Sequence, residues 1–438
     1  MASIIDKNIV DSVLRTNGII SPGKASIREI VRIVNLIEEM SGIKFIRMEM
    51  GVPGLDPVSV GTEAEIEALK RGVASKYPMI EGLQILKDET SRFVKLFLNT
   101  DVSPEGCIPC VGSMMGGMAC FMVANRIDRN KEGTLFIDPG FPVQKQQCVV
   151  LGQKYESFDV YNYRGDKLRE KLESFLKKGK ISTILYSNPN NPSWICFTEE
   201  ELQIIGSLAE KYDAIVVEDL AYFGMDFRKD YSRPGIPPYQ PSVAKYTENY
   251  ILLISSSKVF SYAGQRVGMI VISDMLFNRK YPDLQHYFSW PDFGKAMIYG
   301  ALYALSAGTC HSAQYALAAL FKAANDGSFN LLDEVKEYGE KAKIMKELFL
   351  KNGFSLVYDK DINVPIADGF YFTISYPGFT GAELIGELLY YGISAISLDI
   401  TGSERTDGLR ACVSLVGRDQ FPDLETRLIK FRDNHPVN

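Results

Sequence analysis

Short runs of apolar and β-branched residues alternate with longer amphipathic segments through the middle of the chain. Each run has the length of a buried strand, and each amphipathic segment has the spacing of a helix with one apolar face. This alternation predicts an α/β fold with a mostly parallel sheet and helices on both faces. The predicted strands are Thr134–Ile137, Ser182–Tyr186, Ala214–Val217, Tyr250–Ile254 and Val267–Ile272, with helices at Asp166–Lys177 and Thr198–Tyr212.

A different pattern follows residue 325 and predicts a smaller α+β domain. The helix predicted at Ser26–Met40 is expected to pack with this domain, so that both termini build it. We expect an N-terminal segment (1–60) packing with the small domain, a large domain (61–325) and the small C-terminal domain (326–438). The elements predicted after residue 325 are helices Leu331–Lys351, Gly381–Tyr391 and Phe421–Arg432 and strands Phe354–Tyr358, Gly369–Ser375, Ile393–Ser397 and Leu409–Leu415.

One stretch, Ala296–Phe321, contains no formally charged residue and is long enough to cross a bilayer, which takes about 20 residues. It also contains glycine, serine, threonine, histidine and glutamine, and their polar groups are costly in hydrocarbon. We therefore predict a helix that is buried inside the protein and interrupted near Gly308, and no membrane span.

Composition narrows the class of protein. Hydrophobic residues make up 46% of the 438 positions and charged residues 23%, which excludes a disordered chain, a collagen and a small disulfide scaffold. The net charge of −6 gives no electrostatic footprint for nucleic acid or an anionic membrane. Only three histidines are present, so proton transfer near pH 7 is expected to use another group.

The cysteines and the N-terminus indicate the compartment. Seven cysteines are scattered along the chain, and the close pair Cys107 and Cys110 lacks the second pair or the histidines that a zinc or redox site needs. We predict no metal site and reduced, mostly buried thiols. Residues 1–10 contain no apolar run of signal-peptide length, so we expect a cytoplasmic protein.

Three consecutive predicted strands end in turns with reactive side chains. The first strand runs into the amide-rich segment Asn188–Pro192, the second into Glu218–Tyr222 and the third into Ser255–Lys258. Each turn alone has an ordinary explanation, such as an Asn-Pro turn or a helix cap. In open α/β sheets, however, ligands bind beyond the carboxyl ends of the strands. Three such turns in succession therefore predict one shared site.

The segment Ser255–Gly268 resembles the S-x-S-K-x-F-x-x-x-G-x-R-x-G motif around the cofactor lysine of class I/II aminotransferases. These are fold type I pyridoxal-phosphate (PLP) enzymes. Asn188–Ser193 is similar to their N-P-x-N-P-T motif and Asp219–Tyr222 to their D-x-A-Y motif, and the resemblance runs from about Gly51 to Arg410. It implies a PLP-binding large domain. It also implies transfer of an amino group between an L-amino acid and a 2-oxo acid, through a lysine Schiff base and pyridoxamine phosphate.

The resemblance implies roles for five residues around the cofactor ring. Lys258 is the expected Schiff-base lysine and the base that moves the substrate's Cα proton. Asp219 is expected to keep the pyridine nitrogen protonated. Asn191 and Tyr222 are expected to donate to the O3′ oxygen, and Phe141 to stack on the ring.

The resemblance also implies a phosphate site at a helix start. Tyr77 is similar to a residue that reaches the phosphate of the neighbouring subunit, which implies a homodimer with shared active sites. The phosphate-contacting residues implied within one subunit are Gly112, Ser113, Met114, Ser255, Ser257 and Arg266.

Substrate contacts are implied at Arg410, Gly51 and Asn191. A guanidinium binds an α-carboxylate through two parallel hydrogen bonds, which a lysine cannot reproduce. The chain departs from the family at Trp194, where relatives usually have glycine, so we expect a bulky indole on the substrate side of the site. No motif identifies a second arginine for a distal carboxylate.

Two other functions remain open at this point. A PLP-dependent lyase that catalyses β-elimination or decarboxylation would use the same residues, since PLP supplies the electron sink in each reaction. A non-catalytic PLP-binding regulator would carry an added DNA-binding domain. The roughly 50 residues before the first sheet motif contain no basic run, which argues against such a domain.

Overall fold

A seven-stranded sheet lies at the centre of the protein, and a four-stranded sheet lies in its C-terminal part. The computed structural model describes residues 3–131 and 133–437. In chain order the strands are β1 Ile46–Arg47, β2 Cys107–Cys110, β3 Gly133–Asp138, β4 Lys154–Asp159, β5 Ile181–Ser187, β6 Ile215–Leu220, β7 Tyr250–Ser255, β8 Gly268–Ile272, β9 Ser355–Leu356, β10 Lys360–Asp361, β11 Val364–Pro365, β12 Tyr371–Ser375, β13 Ile393–Ser394, β14 Ile396–Ser397 and β15 Gly408–Cys412.

The central sheet has the strand order β2-β8-β7-β6-β5-β3-β4. Strands β3 to β7 are parallel, whereas β8 runs antiparallel to β7 and β2. The connection 256–267 contains only one short helical turn, too little for a crossover, so β8 returns beside β7 in the opposite direction. The predicted mostly parallel sheet is confirmed, and the carboxyl ends of its parallel strands share one edge.

Helices cover both faces of this sheet. On β7, Ile251 and Leu253 belong to one apolar core while Leu252 and Ile254 belong to the other, because successive side chains of a strand point to opposite faces. The helices are α1 Lys7–Thr16, α2 Ile27–Ser41, α3 Ser59–Lys70, α4 Gln84–Leu98, α5 Gly112–Ala124, α6 Pro142–Val150, α7 Lys167–Leu176, α8 Glu199–Lys211, α9 Asp274–Asn278, α10 Phe293–Lys295, α11 Tyr303–Ser306, α12 His311–Asn325, α13 Lys336–Lys351, α14 Gly381–Leu389 and α15 Phe421–Asn434.

The four-stranded sheet has the order β14-β15-β12-β9, and the backbone N–H of Cys412 in β15 donates to the carbonyl oxygen of Met48 in the N-terminal segment at 2.9 Å. Strand β1 pairs in parallel with β13. The backbone N–H groups of Ile4 and Ile5 donate to the carbonyl oxygen of Tyr390, at 3.1 and 2.9 Å. Both ends of the chain thus meet around the C-terminal elements.

Two predicted elements of this part differ from the structure. The single strand predicted at Ile393–Ser397 is divided at Ala395, because β13 pairs with β1 whereas β14 pairs with β15 of another sheet. Helix α13 begins five residues later than predicted. The side chain of Asn330 accepts the backbone N–H of Leu332 at 2.8 Å, and this local turn competes with helix formation.

The uncharged stretch forms two helical segments separated by a break. A continuous helix runs through α10, the π-helical turn Ala296–Leu302 and α11, and α12 follows. Ala307 and Gly308 have φ angles of 51° and 122°, which a helix does not tolerate. The predicted interruption is confirmed. Among residues 3–131 and 133–437, no helix is long and apolar enough to cross a membrane.

Candidate active site

The carboxyl ends of β5, β6 and β7 bring the three reactive turns together. Ser187 lies opposite Asp219, and Asp219 lies opposite Leu253, in the parallel register of the sheet. The backbone N–H of Asn188 also donates to the carbonyl oxygen of Asp219 at 3.1 Å. The amide-rich turn, the carboxylate and the lysine loop therefore meet at the edge where α/β sheets bind ligands.

Lys258 lies in the turn after β7 and is partly buried. Its Nζ donates to the carbonyl oxygen of Gly51 and lies 5.3 Å from the centre of the Phe370 ring. Burial, reinforced by the positive charges of Arg410 and Arg266, lowers the pKa of Lys258 to about 8. Near neutral pH this amine is therefore deprotonated far more often than an exposed lysine, and the neutral form is the nucleophile and base.

Asp219 is a buried carboxylate with neutral partners. Its Oδ2 accepts from Nε2 of Gln144 at 3.0 Å, and its Oδ1 accepts from the backbone N–H of Ala221 at 3.1 Å. Burial raises the pKa of Asp219 to about 6. A cation beside this carboxylate would lower its pKa again, because opposite charges stabilise each other. The site thus holds a buried acid suited to a cationic partner.

The first turn of α5, Gly112–Met114, forms a corner with Arg266. Gly112 has a φ of 70°, and a Cβ atom at this position would lie 2.6 Å from Nη2 of Arg266. Nearby, at the end of β7, the Oγ of Ser255 accepts the backbone N–H of Ser257 at 3.1 Å. Backbone N–H groups at a helix start and a guanidinium together favour a phosphate group.

Arg410 lies on β15 and is only 2% exposed. Its Nη1 donates to Oδ1 of Asn191 at 3.3 Å, and its Nη2 donates to the carbonyl oxygen of Glu49 at 2.6 Å. Its buried Nε–H has no hydrogen-bond partner among the described residues. A buried guanidinium with only neutral partners and an unused donor is costly, and a carboxylate would offset that cost.

Three aromatic side chains pack against one another beside Arg410. The hydroxyl groups of Tyr222 and Tyr371 are hydrogen-bonded at 2.8 Å, and the Trp194 ring lies 5.3 Å from that of Tyr222. Two glycines leave the room for this packing. A Cβ atom at Gly51 would lie 1.9 Å from the Tyr371 hydroxyl, and one at Gly369 would lie 2.0 Å from the indole of Trp194. Burial holds the pKa of Tyr222 well above its usual value.

Two other predicted residues lie at the surface or near it. Phe141 is partly buried directly before α6, and the backbone N–H of the preceding Gly140 donates to the carbonyl oxygen of Thr401 at 2.8 Å. Tyr77 is 95% exposed, so its ring packs on little of its own chain. The partly buried His311 hydrogen-bonds through Nδ1 to the backbone carbonyl of Lys76, next to Tyr77, at 3.1 Å.

Sequence comparison assigns the family. The family described as "Aminotransferase class I and II" matches residues 43–414, which is most of the chain. The chain belongs to this family. The predictions of the family, of fold type I and of an aminotransferase enzyme are thereby confirmed.

Individual relatives are distant in sequence. A protein of Methanocaldococcus jannaschii named probable aspartate aminotransferase is 26% identical over 322 residues, covering 69% of this chain and 82% of the relative. The LL-diaminopimelate aminotransferase of Natranaerobius thermophilus is 25% identical and is matched over 53% of this chain and 59% of its own length. These names differ in substrate, so similarity alone does not identify the amino acid that this aminotransferase uses.

Solved aminotransferase structures share the fold over nearly the whole chain. An aminotransferase from Mycobacterium tuberculosis superposes with a TM-score of 0.75 at 15% identity, covering 93% of this chain and 96% of that one. The alanine aminotransferase of Pyrococcus furiosus has a TM-score of 0.74 at 19% identity, with coverage of 94% and 98%. Class I and II aminotransferases therefore keep this architecture at very low identity.

The family generally depends on PLP, and the residues of this aminotransferase fit that group. Lys258 is an amine with a lowered pKa, and Asp219 is a buried acid without a cationic partner. Gly112 lacks the Cβ that would crowd the anion-binding corner, and the charge there comes from Arg266. An aldehyde, a ring nitrogen and a phosphate would thus each find suitable chemistry.

Three residues of this aminotransferase site were missed or left without a role by the sequence analysis. Gln144 follows Phe141 by three positions in the first turn of α6, and Tyr371 lies on the strand beside Arg410. The helical spacing from Phe141 and the strand alternation around Tyr371 could have identified Gln144 and Tyr371 as candidates. Neither pattern shows which residues they contact, because that depends on how the helices and sheets pack together. Trp194 was noted as a departure, and the structure buries it completely.

The close cysteine pair is buried in the central sheet. Cys107 and Cys110 lie on β2 as buried free thiols, and burial raises the pKa of Cys110 to about 12. In the part of the chain that the structure describes, no three histidine, cysteine, aspartate or glutamate side chains are grouped as metal ligands.

Proposed function

We propose that this chain is a PLP-dependent aminotransferase that moves an amino group between an L-amino acid and a 2-oxo acid. The observation that carries the proposal is the meeting of Lys258, Asp219 and Arg410 at one edge of the sheet. A nucleophilic amine, an acid for the ring nitrogen and a guanidinium for the α-carboxylate are the three groups that this reaction requires. The scattered free cysteines favour the cytoplasm as its compartment.

Lys258 holds the cofactor and moves the proton. PLP, when bound, supplies the ring that accepts the electrons released from the substrate's Cα atom. The lowered pKa of Lys258, about 8, would make its Nζ a suitable nucleophile for holding the aldehyde group of the cofactor. As a free amine, the same Nζ would be the general base that takes the Cα proton of the substrate. No histidine is needed for this step.

Asp219, Asn191, Tyr222 and Phe141 hold the cofactor ring. The Asp219 carboxylate would accept from the protonated ring nitrogen, and this charge-assisted hydrogen bond would keep the nitrogen cationic. The Nδ2 of Asn191 and the hydroxyl of Tyr222 would donate to the O3′ oxygen, and these hydrogen bonds would stabilise its deprotonated form. Phe141 supplies an apolar face for stacking.

The proposed phosphate site and the proposed site for the substrate carboxylate are formed by two further sets of residues. The first turn of α5 supplies the backbone donors of Gly112, Ser113 and Met114, and Arg266 with the hydroxyls of Ser255 and Ser257 completes the phosphate site. Arg410 binds the α-carboxylate with Asn191 and the backbone of Gly51. Because Arg410 lies in the proposed small domain (326–438) and Gly51 in the proposed N-terminal segment (1–60), both packed against the large domain (61–325), substrate binding closes the site between them.

We also propose a homodimer in which Tyr77 reaches the phosphate site of the other subunit. Support comes from Tyr77, whose side chain is 95% exposed, and from four further exposed apolar side chains between residues 66 and 85. Light scattering after size-exclusion chromatography is expected to give twice the monomer mass, whereas a monomer that retains full activity would contradict shared sites. The exposed apolar residues of this group are Ile66, Leu69, Tyr77, Met79 and Ile85.

A spectroscopic screen tests the proposed function. We expect purified protein reconstituted with PLP to show the absorbance of a lysine–cofactor imine, and a donor amino acid to convert it to the amine form. Addition of a 2-oxo acid should then restore the original spectrum, because amino-group transfer proceeds as two half-reactions. Steady release of ammonia and pyruvate from a β-substituted amino acid without any 2-oxo acid would instead identify a lyase.

A further inference from the structure

Tyr371 connects two parts of the site that the proposed function treats separately. It lies on β12, which pairs antiparallel with β15, so that Tyr371 is opposite Cys412 and Thr373 is opposite Arg410. Directly opposed residues and alternate residues of a strand point to the same face of a sheet. Tyr371 and Arg410 therefore share one face, and the Tyr371 ring packs 4.5 Å from the Arg410 guanidinium.

Among the residues that the structure describes, the hydroxyl of Tyr371 has one side-chain partner, the hydroxyl of Tyr222, at 2.8 Å. Both side chains are at least 95% buried, so water does not compete for this contact. Gly51 leaves the room for this hydroxyl, because any Cβ atom at position 51 would lie 1.9 Å from it. Its ring also packs edge-on against Trp194, with 6.1 Å between the ring centres. The hydroxyl position is thus determined by close packing on several sides.

We propose that Tyr371 is a positioning residue for amino-group transfer, which acts by donating its hydroxyl proton to the hydroxyl oxygen of Tyr222. The inference rests on the proposed contact of Tyr222 with the O3′ oxygen of the cofactor. A tyrosine has a single O–H donor, so a Tyr222 hydroxyl that donates to O3′ must accept from Tyr371.

The consequence is a change in the acidity of the Tyr222 hydroxyl. A hydroxyl that accepts a hydrogen bond becomes a stronger donor, because successive hydrogen bonds polarise one another. Tyr371 therefore strengthens the donation of Tyr222 to O3′, favours the deprotonated linkage between Lys258 and the cofactor, and lowers the pKa of that linkage. The Tyr371 ring links this effect to Arg410, and hence to the side of the site that binds the substrate carboxylate.

Tyr371→Phe tests the inference, because it removes one oxygen and keeps the ring beside Arg410. In protein reconstituted with PLP, a pH titration of the imine absorbance should show a rise of about 0.5 pH units in the pKa of the linkage. Incorporation of 3-fluorotyrosine at position 371 should shift this pKa in the opposite direction, since the more acidic phenol donates more strongly. A purely structural disturbance is not expected to shift the pKa of the linkage in opposite directions in these two variants.

A double-mutant cycle shows whether Tyr371 acts through Tyr222. In a Tyr222→Phe background, Tyr371→Phe should produce no further change in the pKa of the linkage. The matched control is Tyr376→Phe, because Tyr376 is also buried and its hydroxyl donates to the backbone carbonyl of His435 at 2.6 Å. This control should leave the titration unchanged.

Two results would overturn the inference while leaving the proposed function intact. One is a wild-type titration curve for Tyr371→Phe, and the other is a shift that persists undiminished in the Tyr222→Phe background. Absence of any Lys258-dependent imine absorbance in the wild-type protein would instead overturn the proposed function, and the inference with it.

Discussion

Replacing Lys258 by alanine is expected to lower kcat by about 10³-fold or more, since one side chain supplies both the covalent attachment and the general base. The lysine lies at the end of β7 with a pKa lowered to about 8, a value suited to both tasks. The measurement is the single-turnover rate with the best donor found in the spectroscopic screen. The imine absorbance of the reconstituted protein should be lost in the same variant.

Lys341→Met is a matched control for the loss of a buried lysine. The Nζ of Lys341 donates to the carbonyl oxygens of Ser414 and Val416 at 3.0 and 2.6 Å, and burial lowers its pKa as well. This variant should lower the midpoint of thermal unfolding, because two buried carbonyl groups lose their donor, but retain imine formation. Turnover by Lys258→Ala above about a tenth of the wild-type rate would contradict the role of Lys258.

The central sheet and the meeting of three turns followed from the sequence because the signals were local and repeated. The strand predicted at Ala214–Val217 is buried, as its apolar run requires, and only its ends were misplaced. β6 extends through Asp219, which pairs with both Ser187 and Leu253 of the neighbouring strands. A strand ends where its hydrogen-bonded pairing with the neighbouring strands ends, and the pattern of apolar residues does not show that position.

The packing around the substrate side of the site depended on information that the sequence does not display. Trp194 has a φ of 63°, and its indole occupies space that is free only because position 369 is glycine. The two residues are 175 positions apart in the chain. Likewise, the side chains of Gln144 on α6 and Asp219 on β6 are 75 positions apart in the chain and meet only in the folded protein. Such pairs follow from tertiary register, which motifs and periodicity leave undefined.

Replacing Asp219 by asparagine is expected to lower kcat about 10²–10³-fold, a loss comparable to removal of one electrostatic contact that stabilises a developing charge. Asparagine keeps the shape and the hydrogen bonds but not the charge that holds the ring nitrogen protonated. Affinity for PLP should fall as well, and a fluorescence titration of the cofactor-free protein measures it.

Asp138→Asn is the matched control, because burial also raises the pKa of Asp138 to about 6 although it pairs with Lys145. That variant should keep PLP affinity within about threefold.

The pH dependence of stability separates the charge of Asp219 from its shape. The pKa of Asp219 is about 6 in the folded cofactor-free protein and about 4 in an unfolded chain, so between these values the folded state binds more protons. The stabilising effect of this site is therefore complete below about pH 4 and is lost as the pH rises through 6. Relative to wild type, cofactor-free Asp219→Asn should gain thermal stability between pH 4 and 7. With PLP bound, the order should reverse near pH 7, because the charged carboxylate then has a cationic partner. If the difference in thermal stability between the two proteins were the same at pH 4 and pH 7, with and without PLP, the ion pair between Asp219 and the cofactor would be contradicted.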